Sequence, residues 1–289
     1  MDEVADWIEW ITWKEQARHS ATDLVGEFRR GGGLDHEDLL DGNAASHLEA
    51  RAEDTFAELE ARRSAVGEAY PFKIGDGIIE CGFDSPVYLF LLALSYLGKD
   101  GAPRVGCGAR LFERVCTAAA SAYLGGRSLR VGFPRDCNDL PRGFADTLDK
   151  ICGNTVLGEG GPAFREGINQ DKDGGLDVLA WHHFPDRRPG KLILMGQCAT
   201  GKTDLDSKFV ELDERMFQEQ FLQRPWDSRP VRAFFFPWTQ PDRERWRRYA
   251  RRGGILFDRC RVAHFANQDL LSPIKLECAQ WASAIKDFN

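Results

Sequence analysis

The sequence predicts an α/β protein in which helices flank a mixed central sheet, preceded by a mostly helical N-terminal region. Three observations lead there. From residue 109 onward, stretches of helical periodicity alternate with short apolar runs, the pattern of strands covered by helices. Two of those runs, 176–181 and 191–197, are joined by a short turn containing Pro and Arg, so one strand pair is a hairpin. Before residue 100 the periodicity is helical over most of its length.

The elements follow in order. Over residues 2–30, Trp7, Ile11 and Lys14 lie on one helical stripe and Trp10 and Trp13 close to another; Gly31-Gly32-Gly33 breaks the pattern. Residues 48–66, rich in Ala, Glu and Arg, form a second helix, and residues 71–82 hold one or two short strands with a Gly turn. Ser85-Pro86 caps a helix through Leu97, because proline at the first helical position gives up an N–H that has no partner there. The Gly-rich stretch 98–108 is the linker, dividing the chain into 1–100 and 101–289. Residues 109–124 form a strongly amphipathic helix stopped by Gly125-Gly126. There follow a strand over 129–133, a helix over 144–152, the hairpin strands 176–181 and 191–197, a helix over 208–221, a strand over 231–236, a helix over 242–252, and a last strand over 254–257 that leads to Asp258.

Composition narrows the function. At 43% apolar residues, the chain supports an ordinary packed core, and its longest apolar run, 87–97, contains Ser and Tyr and reads as a buried helix. That is well short of the roughly 18 residues that cross a bilayer. The N-terminus is acidic and lacks the basic region of a secretory signal. The eight cysteines show neither C-x-x-C spacing nor a zinc-ligand cluster with His. Reduced thiols and a cytoplasmic location, with no membrane partner, are therefore expected. The net charge of −7 is unevenly spread: residues 1–70 hold 17 acids against 7 bases, and residues 224–261 hold 11 arginines against 4 acids. The acidic part suits a protein partner or a second copy of the chain. Arg245, Arg248 and Arg252 recur at i, i+3 and i+7, on one helix face suited to phosphates.

Several motifs compete for the chemistry. Asp177 opens one hairpin strand and Gln197 closes the next, so both side chains come to one end of the sheet, as ligands for a divalent metal and a scissile phosphate must. Residues 196–203 spell Gly-x-x-x-x-Gly-Lys-Thr, a complete Walker A pattern. It begins late in the chain, and acids follow it where phosphates would need neutralising. Asn169, Asp171, Asp173, Gly174 and Asp177 resemble a calcium loop, but Ala180 stands where a bidentate Glu is required. His182 and His183 are adjacent on a strand, point to opposite faces and make a poor chelate. The Trp7/Trp10/Trp13 group reads as core or protein interface.

Four separated features, in order, carry a further reading: Leu111-Phe112-Glu113-Arg114-Val115 on a helix, Asp173-Gly174-Gly175-Leu176-Asp177 opening a strand, Gln197-Cys198 ending the next, and residues 252–258 late in the chain. Over about residues 105–265 this order resembles the Mrr-type branch of the PD-(D/E)XK restriction-endonuclease superfamily. The resemblance implies a restriction-endonuclease-like nuclease domain over 101–289, with a helical accessory or partner-binding region over 1–100. It also implies Mg²⁺ (or Mn²⁺) held by Asp177, Glu113 and Gln197, cleavage of DNA, and a restriction or anti-phage role shared with a partner. Such strands end Gln-x-Lys, whereas Ala199 stands at the lysine position here. Lys202 is the first candidate to replace that lysine and Lys208 the second. Two alternatives remain: a catalytically silent DNA-binding or assembly subunit, and a P-loop NTPase.

Overall fold

A computed structural model describes residues 2–30, 44–100, 106–135, 140–166, 171–202 and 205–286. The central sheet has the order β4 (Arg127–Arg130), β5 (Val178–His182), β6 (Leu192–Cys198), β7 (Val231–Phe235), β8 (Ile255–Phe257). The first two pairings are antiparallel and the last two parallel, so the sheet is mixed. Chain connectivity explains the change of sense. The β5–β6 pair is closed by a turn in which Arg187 (φ 54°) and Gly190 (φ 90°) are left-handed. Helices α7 (Leu205–Glu211) and α8 (Glu214–Phe221) carry the chain from β6 to β7, and α9 (Arg243–Gly253) carries it from β7 to β8, as parallel pairing requires.

Alternation along β6 divides the core. Ile193 and Met195 join a cluster with Phe144 and Leu148 of α6 (Phe144–Cys152) and Phe217 and Phe221 of α8. Leu194 and Cys198 pack with Phe112, Val115 and Cys116 of α5 (Gly108–Leu124) on the opposite face. This second cluster continues without a break into α1 (Asp2–Glu15), α3 (Ala44–Val66), α4 (Pro86–Leu97), α10 (Arg259–Asp269) and α11 (Ser272–Lys286). The division expected at residues 100/101 therefore does not separate two cores.

The N-terminal part is less uniformly helical than its periodicity suggests. The pattern over 2–30 is interrupted: Gln16 is left-handed (φ 52°), and His19–Ser20 forms β1. Ser20 then starts α2 (Ala21–Arg30) with a reciprocal cap, Asp23 N–H donating to Ser20 Oγ (3.1 Å) and Ser20 N–H to Asp23 Oδ2 (2.8 Å). β1 pairs with β3 (Ile78–Cys81), and β3 with β2 (Phe72–Gly75), all antiparallel. The β2–β3 loop is Asp76-Gly77, both at positive φ, the two-residue hairpin geometry that Asp-Gly favours.

One buried polar network ties the N-terminus to the C-terminal helices. Arg62 Nη1 donates to Asp6 Oδ1 (2.8 Å) and Glu9 Oε2 (2.9 Å), and Arg259 Nη1 and Nη2 donate to the two Asp6 oxygens (2.8 Å each). Tyr70 and Tyr88 hydroxyls donate to Glu9 Oε1 (2.7 and 2.8 Å). Burial alone would raise the Asp6 pKa; Arg259 and Arg62 outweigh it and hold the carboxyl below its usual range. Acids that look like a solvated face in the sequence are thus inside, paired across most of the chain's length. Trp10 and Trp13 are buried as well, Trp10 stacking on Tyr96 at 5.1 Å. Among the described residues, no helix is long and apolar enough to cross a membrane. The seven described cysteines are free thiols; Cys137 lies outside the described residues.

Candidate metal centre

The site begins with α5, ended by Gly125 in the left-handed conformation (φ 59°) with Gly126 N–H donating to Ser121 O (3.1 Å). Leu111, Phe112, Val115 and Cys116 bury one face of this helix, and Glu113 turns from the edge of that face toward the end of β4. There Val131 and Gly132 donate their N–H groups to the Asp177 carbonyl (2.8 and 3.2 Å), so the chain leaving β4 is laced to the start of β5. Gly132 is the floor of the site. A Cβ there would lie 2.6 Å from Glu113 Oε2 and 3.0 Å from Asp177 Oδ1. The two carboxylates therefore converge over one glycine.

Asp177 is aimed by the loop before it. Asp173 Oδ1 accepts from Gly175 N–H (3.1 Å), and Gly174 and Gly175 are both left-handed (φ 62° and 80°). A Cβ on Gly174 would meet the Phe221 ring at 2.6 Å, and one on Gly175 the Glu211 carbonyl at 3.1 Å. Conformation and space both call for glycine. Asp177 Oδ2 accepts the Cys198 N–H at 2.8 Å. The strand pairing ends at Val178 with Gly196; beyond it the Asp177 N–H donates to the Gly196 carbonyl (3.0 Å), so Asp177 is tied to the end of β6 by its backbone as well as its side chain. Both residues thus lie at the same end of the hairpin, with separate partners. Gln197 is buried and donates through Nε2 to Glu211 Oε2 (2.7 Å), which also accepts from Lys208 Nζ (2.6 Å).

Electrostatics mark the pair as strained. Burial pushes Glu113 up most, Arg130 pulls it down, Asp173 pushes it up again, and the result is about 6 against an ordinary 4.5. Burial and then the Glu113 charge raise Asp177, against the Cys198 N–H and Lys208. Arg130 partly compensates, its Nε donating to Glu113 Oε2 at 2.7 Å. The sign of the linkage follows. A carboxyl with a raised folded-state pKa stabilises fully below its unfolded value near 4.5, and that stability is lost as pH rises through about 6. Between pH 4.5 and 7 the metal-free protein should lose about 2 kcal/mol relative to Glu113→Gln, measured by urea unfolding at each pH. Millimolar Mn²⁺ should restore the loss in the native protein and not in the variant.

A divalent cation fits this pair. Glu113 and Asp177 supply oxygens that repel each other without it, and Gln197 would add a neutral oxygen through Oε1. Among the described residues no group of three or more His, Cys, Asp or Glu side chains could enclose an ion. The two carboxylates alone would leave an ion most of its coordination to waters or substrate oxygens, which Mg²⁺ accepts. The same floor gives a second expected result. In Gly132→Ala the fold should survive, since the clash is with the flexible end of Glu113. Mn²⁺ affinity by calorimetry should fall about 10–100-fold, as for other changes that misplace ligands.

The remaining candidates sort clearly. Lys202 is exposed and its charge acts on Asp6, whereas Lys208 is the cation whose charge reaches Asp177. Lys208 also bonds Glu211, the partner of Gln197. Gly196, Gln197 and Cys198 are ladder residues of β6. The Cys198 and Ala199 amides, which a Walker A loop would turn toward phosphates, donate to Asp177 and Phe235 (2.8 and 2.9 Å). Thr203 lies outside the described residues, as does Asn169 of the calcium-loop pattern. The Asp173 oxygens of that pattern go to the Gly175 and Phe133 N–H groups. His182 and His183 bond separate carbonyls, of Leu124 and Val156 (3.0 and 2.8 Å). On α9, Arg245 and Arg248 are exposed while Trp246, Tyr249 and Ala250 pack on the sheet. Arg252 is half-buried, its guanidinium 5.7 Å from the Phe209 ring.

Sequence reasoning missed Gly132, Arg130 and Glu211. A glycine inside the strand expected over 129–133 was a signal for the first; nothing in the local pattern pointed to the other two. No protein-family model, no curated protein and no solved structure matches the chain, so the geometry of these residues is what bears on function.

Proposed function

We propose that this chain is a Mg²⁺- or Mn²⁺-dependent DNA endonuclease of the restriction-endonuclease-like kind. The observation that carries this reading is the convergence of Glu113 and Asp177 over Gly132, at the end of the strand that carries Gln197. Support also comes from the element order around it: helix, strand, helix, two further strands of the same antiparallel set, two helices, then a parallel strand. A bound divalent ion would lower the pKa of a water and offset charge on the phosphate. The protein's own parts are then defined. Asp177 and Glu113 hold the ion; the Cys198 N–H fixes one Asp177 oxygen, and Arg130 gives up the Glu113 oxygen it holds without metal. Gln197 is held in place by Glu211. Lys208 is the cation available to a phosphate oxygen as negative charge builds there, taking the role of the lysine that Ala199 replaces. The exposed arginines of α9 supply phosphate contacts without reading sequence. Exposed acids near the N-terminus, such as Glu49, Glu53 and Asp54, repel DNA and suit a protein partner. A cytoplasmic restriction or anti-phage role completes the reading.

One observation favours a second reading. Arg130 already occupies the Glu113 oxygen that a metal would use, as in a silent DNA-binding subunit. The deciding experiment is incubation of the purified protein with supercoiled plasmid and Mg²⁺ or Mn²⁺. Metal-dependent nicking or linearisation supports the nuclease. Binding without cleavage under all metals supports the silent subunit and ends the first reading.

The DNA face has its own expected result. Replacing Arg245 and Arg248 by Ala should weaken binding and flatten its salt dependence by up to about one unit of slope per lost contact. Arg252→Ala should change the slope less, because its guanidinium lies against Phe209. Unchanged salt dependence in the double variant would remove α9 from the interface.

A further inference from the structure

We propose that Phe133 is a base-stacking platform, so that the site takes DNA with an unpaired base beside the scissile phosphate. The inference rests on the nuclease reading and names its substrate class. Phe133 follows Gly132, the floor beneath the two carboxylates, yet its side chain is 48% exposed. A large apolar ring is thus left half in water beside the site. The ring is also held in place. Its backbone N–H donates to Asp173 Oδ2 (3.0 Å), and the preceding N–H, of Gly132, to the Asp177 carbonyl (3.2 Å). Both anchors belong to the group of acids whose charges act on one another at the site.

The ring has a rigid neighbour. The Arg135 guanidinium sits 5.7 Å from its centroid and is itself buried. It donates to the carbonyls of Val131, Pro141, Arg142 and Lys172 at 2.8–3.1 Å. Phe133 is therefore ordered before anything binds, which lowers the entropic cost of using it. A nucleobase is the apolar, flat group that a phosphate at this site would bring within reach. Stacking a base on an aromatic ring is worth about 1–3 kcal/mol. A base inside a duplex can reach a side chain only by leaving its neighbours, so single strands, flaps and mismatches are favoured over intact duplex.

The test is fluorescence anisotropy of the full chain in Ca²⁺ with labelled oligothymidylate of about 12 nucleotides, within the usual site size for single strands. The comparison is a fully abasic strand of equal length and charge. The native protein should bind oligothymidylate about 5–100-fold more tightly than the abasic strand. Phe133→Ala should erase most of that ratio while leaving affinity for the abasic strand unchanged. Phe133→Tyr should keep the ratio and Phe133→Leu should not. A ratio of one in the native protein, a ratio unchanged in Phe133→Ala, or rescue by Phe133→Leu (an apolar contact or protein-docking residue instead) overturns the proposal. Plasmid cleavage that persists alongside any of those results leaves the nuclease reading standing. A native protein that binds neither strand overturns the proposal, and overturns the nuclease reading too where plasmid is left uncut.

Discussion

Asp177→Asn should lower metal-dependent cleavage by about 10³-fold or more while leaving the metal-free protein as stable as the native one, or more so, at pH 8. The activity loss follows from its place. Asp177 is the carboxylate that both opens β5 and meets Glu113 over Gly132, and removing one preorganised electrostatic element of a reaction site costs about 10²–10³ even where it is not a metal ligand. The stability result follows from the strain. Asn keeps an oxygen for the Cys198 N–H, so no buried donor is orphaned, and it removes the charge that burial and Glu113 both oppose. Asp177→Ala should lose activity equally but also strand the Cys198 N–H, at about 1–3 kcal/mol. Paired thermal melts and plasmid assays separate these outcomes. A strongly destabilised Asp177→Asn would mean that Asp177 is a structural residue.

The largest expected stability effect lies away from the site. Arg62→Ala should destabilise the protein by about 3–5 kcal/mol, because it leaves buried charges on Asp6 and Glu9 short of a partner. The same change frees Thr239 Oγ1, which accepts from Arg62 Nη2 at 2.8 Å. Arg259 would remain on Asp6 but reaches Glu9 only at 3.3 Å. Adding Glu9→Gln should recover part of the loss, since it removes the charge left behind and keeps an acceptor for the tyrosines. Urea midpoints of the two variants measure it. A loss under about 1 kcal/mol for Arg62→Ala would show that the network is open to water.

Much of the sheet was legible in the sequence because its elements obey local rules. α5 follows its periodicity and its Gly stop, and β5, β6 and β7 are short apolar runs near the expected bounds. Hairpin geometry put Asp177 before one strand and Gln197 near the end of the next, where β5 and β6 begin and end. What was missed depends on distant partners. The break at residues 16–20 is set by pairing with β3, a strand near residue 80. α10 was overlooked because its inward face carries Arg259, a residue that reads as surface until Asp6 is found beside it. α11 begins at Ser272-Pro273, so a start signal was present there and unused. Lys202 looked nearer to the site than Lys208 by sequence. Helix α7 places Lys208 beside Glu211, the partner of Gln197, whereas Lys202 is exposed after β6. The domain boundary at residue 100 failed for the same reason as α10: helices after residue 258 complete the core that the first hundred residues begin.

The most direct measurement is the anomalous diffraction signal of Mn²⁺ in crystals of the native protein. The account predicts a peak above Gly132, within about 2.0–2.3 Å of oxygens from both Glu113 and Asp177, with Arg130 moved off the Glu113 oxygen it now holds. A peak elsewhere, or an unoccupied pair with Arg130 still on Glu113 at millimolar Mn²⁺, would contradict it.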